Sequence, residues 1–317
     1  VYRTNVKDPG FTGSIKNLFH SKWIEKIAVD SISFSMKEGE TLACIGKNGA
    51  GKSTLIKLLI GILQPTSGEV LVYGQNPSLH PKSYLGKIGV IFGQKSNLWT
   101  DIPVIESYRA IKTLYKVEAK EFDENLKIIT ELLDLKPILS SPARKLSLGQ
   151  RMKADIGMIF LHSPQLLFLD EPTIGLDIHT KYAIREFISK MNQERGISVF
   201  LTSHDLDDID QICNKVIVLS KGKLFYHGLL SKLKHRYAKN KIVTITGRQK
   251  TDIQERLTNV IIKSNENNTK IIYDSTIHTS EQILNIVSYA FDVKDITIEN
   301  PNIDYIVSQI FLEEEHI

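Results

Sequence analysis

The sequence predicts an α/β core built on a mostly parallel sheet, followed by a small α+β domain. Two observations predict the core and a third predicts the small domain. Short apolar runs alternate with stretches of helical length, as strands do with crossover helices in a parallel sheet. One of these runs opens directly into a glycine-rich turn and then an apolar helix. Past residue 240 the pattern changes to "KIVTIT", "DIQERLTNV", "TKIIYDS", "SEQILNIVSYA", "VKDITIEN" and "NIDYIVSQIFLEE", alternately strand-like and helical, in ferredoxin-like order.

Taken in order, Thr41 to Ile45 is a strand, "GKNGAGKST" the turn, and "KSTLIKLLIGIL" the helix. Further apolar runs, "IGVIF" at 88–92, "LLFL" at 166–169 and "SVFLT" at 198–202, each end in polar residues. In such a sheet, ligands gather at the carboxyl ends of the strands. Residues 104–135 hold "VIESYRAIKTLYKV" and "NLKIITELLDL" and no convincing strand, so they read as a helical insertion, its subdomain taken as about 95–160. The basic stretch "LLSKLKHRYAKNK" reads as a connecting helix. The expected domains are therefore 1–228, a linker helix 229–240, and an accessory domain 241–317. Thr279 and Gln282 have capping-box spacing for the helix "SEQILNIVSYA".

A chain of 317 residues with 42% hydrophobic content can bury a sizeable core, which excludes disordered and fibrous classes. Its 40 Lys and Arg against 36 Asp and Glu leave only +4, interspersed along the chain, so no nucleic-acid partner is expected. Cys44 and Cys213 lie in or beside apolar stretches without metal-ligand spacing, which suits inert core thiols in a reducing compartment. No run approaches the roughly 18 apolar residues of a membrane span, and the start "VYRTNVKDPG" lacks the character of a signal peptide. A soluble, cytosolic chain is the expectation.

Gly46, Gly51, Lys52 and Ser53 fill the fixed positions of G-x-x-x-x-G-K-[ST]. The glycines let backbone N–H groups turn inward around phosphates, and the helix amino terminus adds partial positive charge. Lys52 reaches the β- and γ-phosphates in this reading, and the Ser53 hydroxyl ligates Mg²⁺. Asn48, Gly49, Ala50 and Thr54, in the same nine residues, join the candidate ATP-binding set. A site that hydrolyses also needs a carboxylate for the metal and a group that orients water. In "LLFLDEPT", Asp170 supplies the first and Glu171 the second.

These motifs, with "FGQ" ending in Gln94, "LSLGQ", "GLD" ending in Asp177 and "TSH" ending in His204, resemble those of the ATP-binding cassette (ABC) ATPases, in the same order, over about residues 23–226. The resemblance implies a P-loop NTPase cassette with a mostly parallel sheet, an antiparallel β part and a helical insertion. It also implies a head-to-tail dimer, expected to be a homodimer, in which Ser147 and Gly149 approach the γ-phosphate of the partner's ATP and Gln150 lies near its ribose. By the same resemblance His204 contacts the γ-phosphate and steadies Glu171. Asp177 couples the two sites, and Gln94 touches metal and water. Trp23 stands near the place of an adenine-stacking aromatic, although Ile15, Leu18, Phe19 and Trp23 equally have the spacing of an amphipathic helix. Leu148 replaces the second residue of the family's usual glycine pair. The expectation is a side chain turned away from the phosphate and a negative φ.

"FGQKSNLW", "LSLGQRM" and "DEPTIGLD" are similar to a subgroup of ABC-2 type exporter ATPases, many with a small carboxyl-terminal domain. That likeness implies two separately encoded membrane permeases, a peripheral position on the inner face of the membrane, and Leu98, Trp99, Ile102 and Tyr108 as apolar groups for a permease helix. Two alternatives stay open: an importer ATPase with a regulatory carboxyl-terminal domain, and a non-transport ABC ATPase acting on nucleic acid or ribosomes.

Overall fold

The computed structural model describes residues 1–6, 22–79, 84–93, 95–203, 205–237, 239–251, 253, 257, 260–265, 268–301 and 305–310. They form two compact units, Val1–Gly228 and Leu229–Ile317.

The first unit starts with two strands, β1 (Tyr2–Val6) and β2 (Lys22–Lys26), paired antiparallel with Asn5 opposite Trp23. The main sheet takes β3 (Thr41–Ile45), β4 (Ile88–Phe92), β5 (Leu166–Asp170), β6 (Ser198–Thr202), β7 (Lys215–Ser220) and β8 (Lys223–Leu229). Their order across the sheet is β4-β5-β6-β3-β7-β8. The pairs from β4 to β7 are parallel. β7 turns into β8 through Lys221 and Gly222, both at positive φ, which is the twist a two-residue hairpin needs. β3 and β6 are buried at every position, which explains why they read as continuous apolar runs without alternation.

Helix α1 (Lys52–Leu59) buries Leu55, Ile56 and Leu58, and Leu55 and Ile56 join a core cluster with Leu42, Phe168, Phe200 and Ile217. The insertion consists of α2 (Val104–Tyr115) and α3 (Ala119–Leu132). Helix α4 (Leu148–Phe160) leads back to β5, α5 (Ile178–Arg195) connects β5 to β6, and α6 (Leu206–Ile212) follows β6. The two cysteines are buried and unpaired, and burial pushes both thiols well above their usual range, as inert core groups require. No helix among the described residues is long and apolar enough to cross a membrane.

The second unit opens with α7 (Leu230–Tyr237), the basic stretch expected as a linker. Its sheet takes β9 (Asn240–Gln249), β10 (Val260–Ser264), β11 (Asn268–Asp274) and β12 (Phe291–Glu299) in the order β10-β11-β9-β12, all antiparallel. Numbered within this unit the order is 2-3-1-4, the ferredoxin-like arrangement. Helix α8 (Ser280–Ala290) contributes Ile283 and Val287 to a core with Val243, Ile245, Ile271 and Tyr273. It starts with the expected box: Gln282 N–H donates to Thr279 Oγ1 at 3.2 Å and Thr279 N–H to Gln282 Oε1 at 3.0 Å. Strand β10 is an addition to the sequence reading, which assigned no strand there. Most of "DIQERLTNV" lies outside the described residues.

Candidate active site

The site lies along one line at the carboxyl edge of the main sheet. Phe92, Asp170, Thr202 and Cys44 stand opposite one another across β4, β5, β6 and β3. Neighbouring parallel strands are about 4.8 Å apart. The segments that leave this row therefore emerge side by side: Gly93 toward position 94, Glu171, Ser203 toward position 204, and the glycine loop from Gly46.

The loop's shape is fixed by close backbone approaches. Gly51 caps α1 at φ 105°, where side chains are strained, and an added Cβ would run into the Ala28 carbonyl. At Gly46 an added Cβ would come within 2.5 Å of the Leu219 carbonyl oxygen. Ala50 N–H donates to Lys47 O at 3.0 Å, and Gly222 N–H ties the loop to β7 and β8 through Ala50 O at 3.1 Å. The buried Lys52 side chain curls over the loop, its Nζ donating to Gly46 O at 2.7 Å. Ser53 is exposed and Thr54 half-buried on the first turn.

Across the row, Thr202 Oγ1 donates to Asp170 Oδ1 at 2.5 Å. Glu171 N–H donates to Thr202 O at 2.9 Å and to Thr202 Oγ1 at 3.2 Å. One buried threonine thus positions both acids. Glu171 is held at φ 53°, a region few non-glycine residues adopt, and such strain concentrates at functional sites. Sequence reasoning missed this role of Thr202 in positioning Asp170 and Glu171, although Thr202 begins the "TSH" motif.

Ser147 is the N-cap of α4, accepting from Gln150 N–H at 3.2 Å while its own N–H donates to Gln150 Oε1 at 3.0 Å. The Ser147 and Gln150 spacing is therefore also a capping box, a local reason for the pair beside any contact with nucleotide. Leu148 begins the helix, is absent from the residues with positive φ, and has its Cδ2 at 3.4 Å from where a Cβ on Gly175 would lie. Gly149 is buried, and an added Cβ would meet Thr180 Oγ1 at 2.8 Å. Thr180 in turn binds Asp177, the exposed N-cap of α5, through its N–H at 3.0 Å and its hydroxyl at 2.7 Å. Those bonds from Thr180 hold the Asp177 carboxyl below its usual range.

Sequence reasoning also missed a buried ionic cluster behind the row. Asp208, fully buried on α6, accepts from Arg185 Nε at 2.6 Å, from Ser203 Oγ at 2.7 Å and from Thr173 Oγ1. Asp205, the N-cap of α6, pairs with Lys181 Nζ at 2.5 Å and with an Arg185 guanidinium nitrogen at 3.0 Å. Burial alone would raise the Asp205 carboxyl, but the Lys181 bond and the charges of Arg185 and Lys181 outweigh it and hold the group below its usual range. The available signal was the acidic run "HDLDD" after a strand, matched by Lys181 and Arg185 four residues apart on one helix.

A second buried carboxylate, Asp155 on α4, accepts from Asn97 N–H at 2.7 Å, Ser96 Oγ at 3.1 Å and Leu98 N–H at 3.2 Å. Burial raises its pKa against these three bonds. It fixes the chain just after position 94 to the helix that carries Ser147 and Gly149. Of the four apolar groups expected at a permease contact, Trp99 is 59% exposed and Ile102 half-buried. Leu98 and Tyr108 are instead core residues, and the Tyr108 hydroxyl donates to Ala154 O at 2.7 Å, tying the insertion to α4.

Gln94 and His204 lie outside the described residues, as does the side chain of Trp23, whose backbone is in β2. The helical spacing of Ile15, Leu18 and Phe19 falls outside them too, and the backbone at Trp23 itself is extended. Among the described residues no group of three or more His, Cys, Asp or Glu could hold a metal alone. The exposed Ser53 hydroxyl and the Asp170 carboxylate, both at the carboxyl edge, are oxygen donors of the kind that suit Mg²⁺ when water and phosphate complete its shell.

Comparison with known proteins agrees with this geometry. A family model described as ABC transporter matches residues 29–174. The ABC transporter ATP-binding protein NatA of Bacillus subtilis is 29% identical over 206 residues, 65% of this chain and 83% of that protein. The bacitracin transport ATP-binding protein BcrA of Bacillus licheniformis is 32% identical over 213 residues, 67% of this chain and 68% of that protein. Of a much longer relative the chain spans only 14%. A solved structure of an ATP binding subunit of an ABC transporter superimposes with TM-score 0.61 at 28% identity, covering 66% of this chain and 87% of the other.

Proposed function

The chain belongs to the ABC transporter ATP-binding family, and from that premise we propose that it powers an ABC-2 type exporter through separately encoded membrane permeases. As a member of the family it binds and hydrolyses ATP to drive transport. The observation that carries the site reading is the row at the carboxyl edge, where the glycine loop leaves β3 and Asp170 and Glu171 leave β5, with only β6 between them. Gly46, Asn48, Gly49, Ala50, Gly51, Lys52, Ser53 and Thr54 cradle the phosphates, with Lys52 neutralising charge on the γ-phosphate. Glu171 orients the attacking water and accepts its proton, and His204 steadies Glu171. General-base help of this kind is worth about 10² to 10⁴ in rate.

Ser53, Asp170 and Gln94 would hold Mg²⁺, which supplies charge neutralisation at the phosphates. In a second copy of the chain, Ser147, Gly149 and Gln150 close over the same nucleotide and Asp177 links the two sites. Trp23 stacks on adenine. Residues 1–228 form the catalytic domain, its helical subdomain about 95–160 carrying the permease contact at Trp99, and residues 229–240 connect it to an accessory domain at 241–317. The complex sits on the inner face of the membrane. Its likeness to NatA and BcrA supports the exporter reading.

The test is Glu171→Gln, purified from detergent-solubilised membranes with ATP and Mg²⁺. The expected product retains ATP, lacks turnover, is dimeric and brings membrane-spanning proteins with it. Wild-type hydrolysis would remove Glu171 from the mechanism, and recovery with ribosomes or nucleic acid alone would overturn the transport assignment.

A further inference from the structure

We propose that Asp208 is a positioning residue for ATP hydrolysis, acting with Arg185 to hold in place the two loops that carry Glu171 and His204. The proposal rests on the reading of those two residues as the hydrolytic pair.

Three donors from three segments converge on the Asp208 carboxylate. Arg185 Nε, from α5, lies 2.6 Å from Oδ1. Ser203 Oγ, immediately before position 204, lies 2.7 Å from Oδ2, which also accepts from Thr173, two residues beyond Glu171. Asp205, immediately after position 204, is held by the same Arg185 at 3.0 Å and by Lys181 at 2.5 Å. Position 204 is thus bracketed by Ser203, bonded to Asp208, and by Asp205, paired with the same Arg185 that holds Asp208. The Glu171 loop is fastened to the same carboxylate through Thr173.

Desolvation sets the argument apart from ordinary packing. The Asp208 side chain is fully buried and that of Arg185 is 8% exposed, so both ions have surrendered nearly all their hydration. A buried ion pair is often no more stabilising than apolar side chains of the same volume. What the pair supplies that apolar groups cannot is direction: three hydrogen bonds aimed at one carboxylate from three separate segments. Glu171, at its positive φ, needs such external restraint to keep a sparsely populated backbone conformation.

The experiment compares Asp208→Asn, Thr173→Val, Ser203→Ala and Thr173→Ser in the full chain. It measures kcat and KM for ATP, and Kd by fluorescent-nucleotide displacement. Misplacing a reacting group by about 1 Å costs about 10² in rate, so Asp208→Asn is expected to lose about 100-fold in kcat, and Thr173→Val and Ser203→Ala about tenfold each. Kd stays within about twofold, because the phosphate loop is untouched. Thr173→Ser, which keeps the hydroxyl, retains most of the rate. Wild-type kcat in Thr173→Val and Ser203→Ala, or Kd and kcat deteriorating together, overturns the proposal. If Asp208→Asn is recovered unfolded, the hydroxyl variants decide alone. Glu171→Gln run alongside separates the two ideas: full turnover there refutes the reading of the site, whereas its inactivity beside unaffected hydroxyl variants refutes only the positioning role.

Discussion

Replacing Gly149 by alanine should destabilise the first unit through Thr180, and removing the Thr180 side chain should rescue it. The new Cβ would lie 2.8 Å from Thr180 Oγ1 and 3.2 Å from its Cγ2, both too close. Thr180 cannot easily withdraw, because its hydroxyl and N–H are bonded to Asp177 at 2.7 and 3.0 Å. Overpacking of this kind costs about 1–3 kcal/mol. Alanine returns up to about 1 kcal/mol of helix propensity, so the expected net loss is about 1 kcal/mol. Thr180→Ala alone forfeits one hydroxyl hydrogen bond, about 0.5–1.5 kcal/mol. In the double variant the nearest remaining atom of residue 180 is its Cβ, at an ordinary 3.4 Å, so the propensity gain survives without the crowding. The double variant should therefore be more stable than Thr180→Ala, a favourable coupling of about 1–2 kcal/mol between the two sites. Urea unfolding followed by tryptophan fluorescence measures this, since both tryptophans of the chain, Trp23 and Trp99, belong to the first unit. Losses that merely add, to within about 0.5 kcal/mol, would refute the crowding argument.

Two further outcomes concern buried titratable groups. Asp155→Ala removes the acceptor for Ser96, Asn97 and Leu98. Leaving buried donors unsatisfied costs about 1–3 kcal/mol, so hydrogen exchange at the Asn97 and Leu98 amides should quicken about tenfold or more, and unchanged exchange would contradict the clamp. His162 Nε2 lies 2.9 Å from the Ile88 carbonyl oxygen, to which it must donate, and its ring stacks on Tyr115 at 4.1 Å. Burial holds its pKa below the ordinary 6.5. The unfolded chain therefore takes up a proton that the folded chain refuses, and stability should fall as pH drops below about 6.5 toward the folded value. His162→Gln should flatten that part of the urea-midpoint profile; an equally steep profile in the variant would place the effect elsewhere.

The strands that build the site were legible because they are buried on both faces, so Thr41 to Ile45 and Ser198 to Thr202 stand out as unbroken apolar runs. The phosphate loop was legible because its constraints lie within nine consecutive residues. Strand β10 was not. It is an edge strand of five residues whose apolar start continues a helical pattern, and only its pairing with Ile271 and Ile272 of β11 distinguishes it. Thr202, Asp155 and the cluster of Arg185 with Asp208 escaped for another reason. Their partners are many residues away, and a charged side chain that will be buried looks the same in sequence as one that will be solvated. Leu148 showed the limit from the other side: a residue that interrupts a glycine pair simply starts a helix and leans toward Gly175.

The alignment of Phe92, Asp170, Thr202 and Cys44 across four strands also determines where this chain can change length. Side chains alternate faces along a strand, so deleting one residue from β5 or β6 would turn its last side chain to the opposite side of the sheet. The tolerance lies at the other end of the same strands. Turns there, such as the one at the exposed Gly196 between α5 and β6, only enter the sheet. A fluorophore, an affinity tag or a whole inserted domain belongs at those turns, where added residues leave the register of the catalytic edge intact.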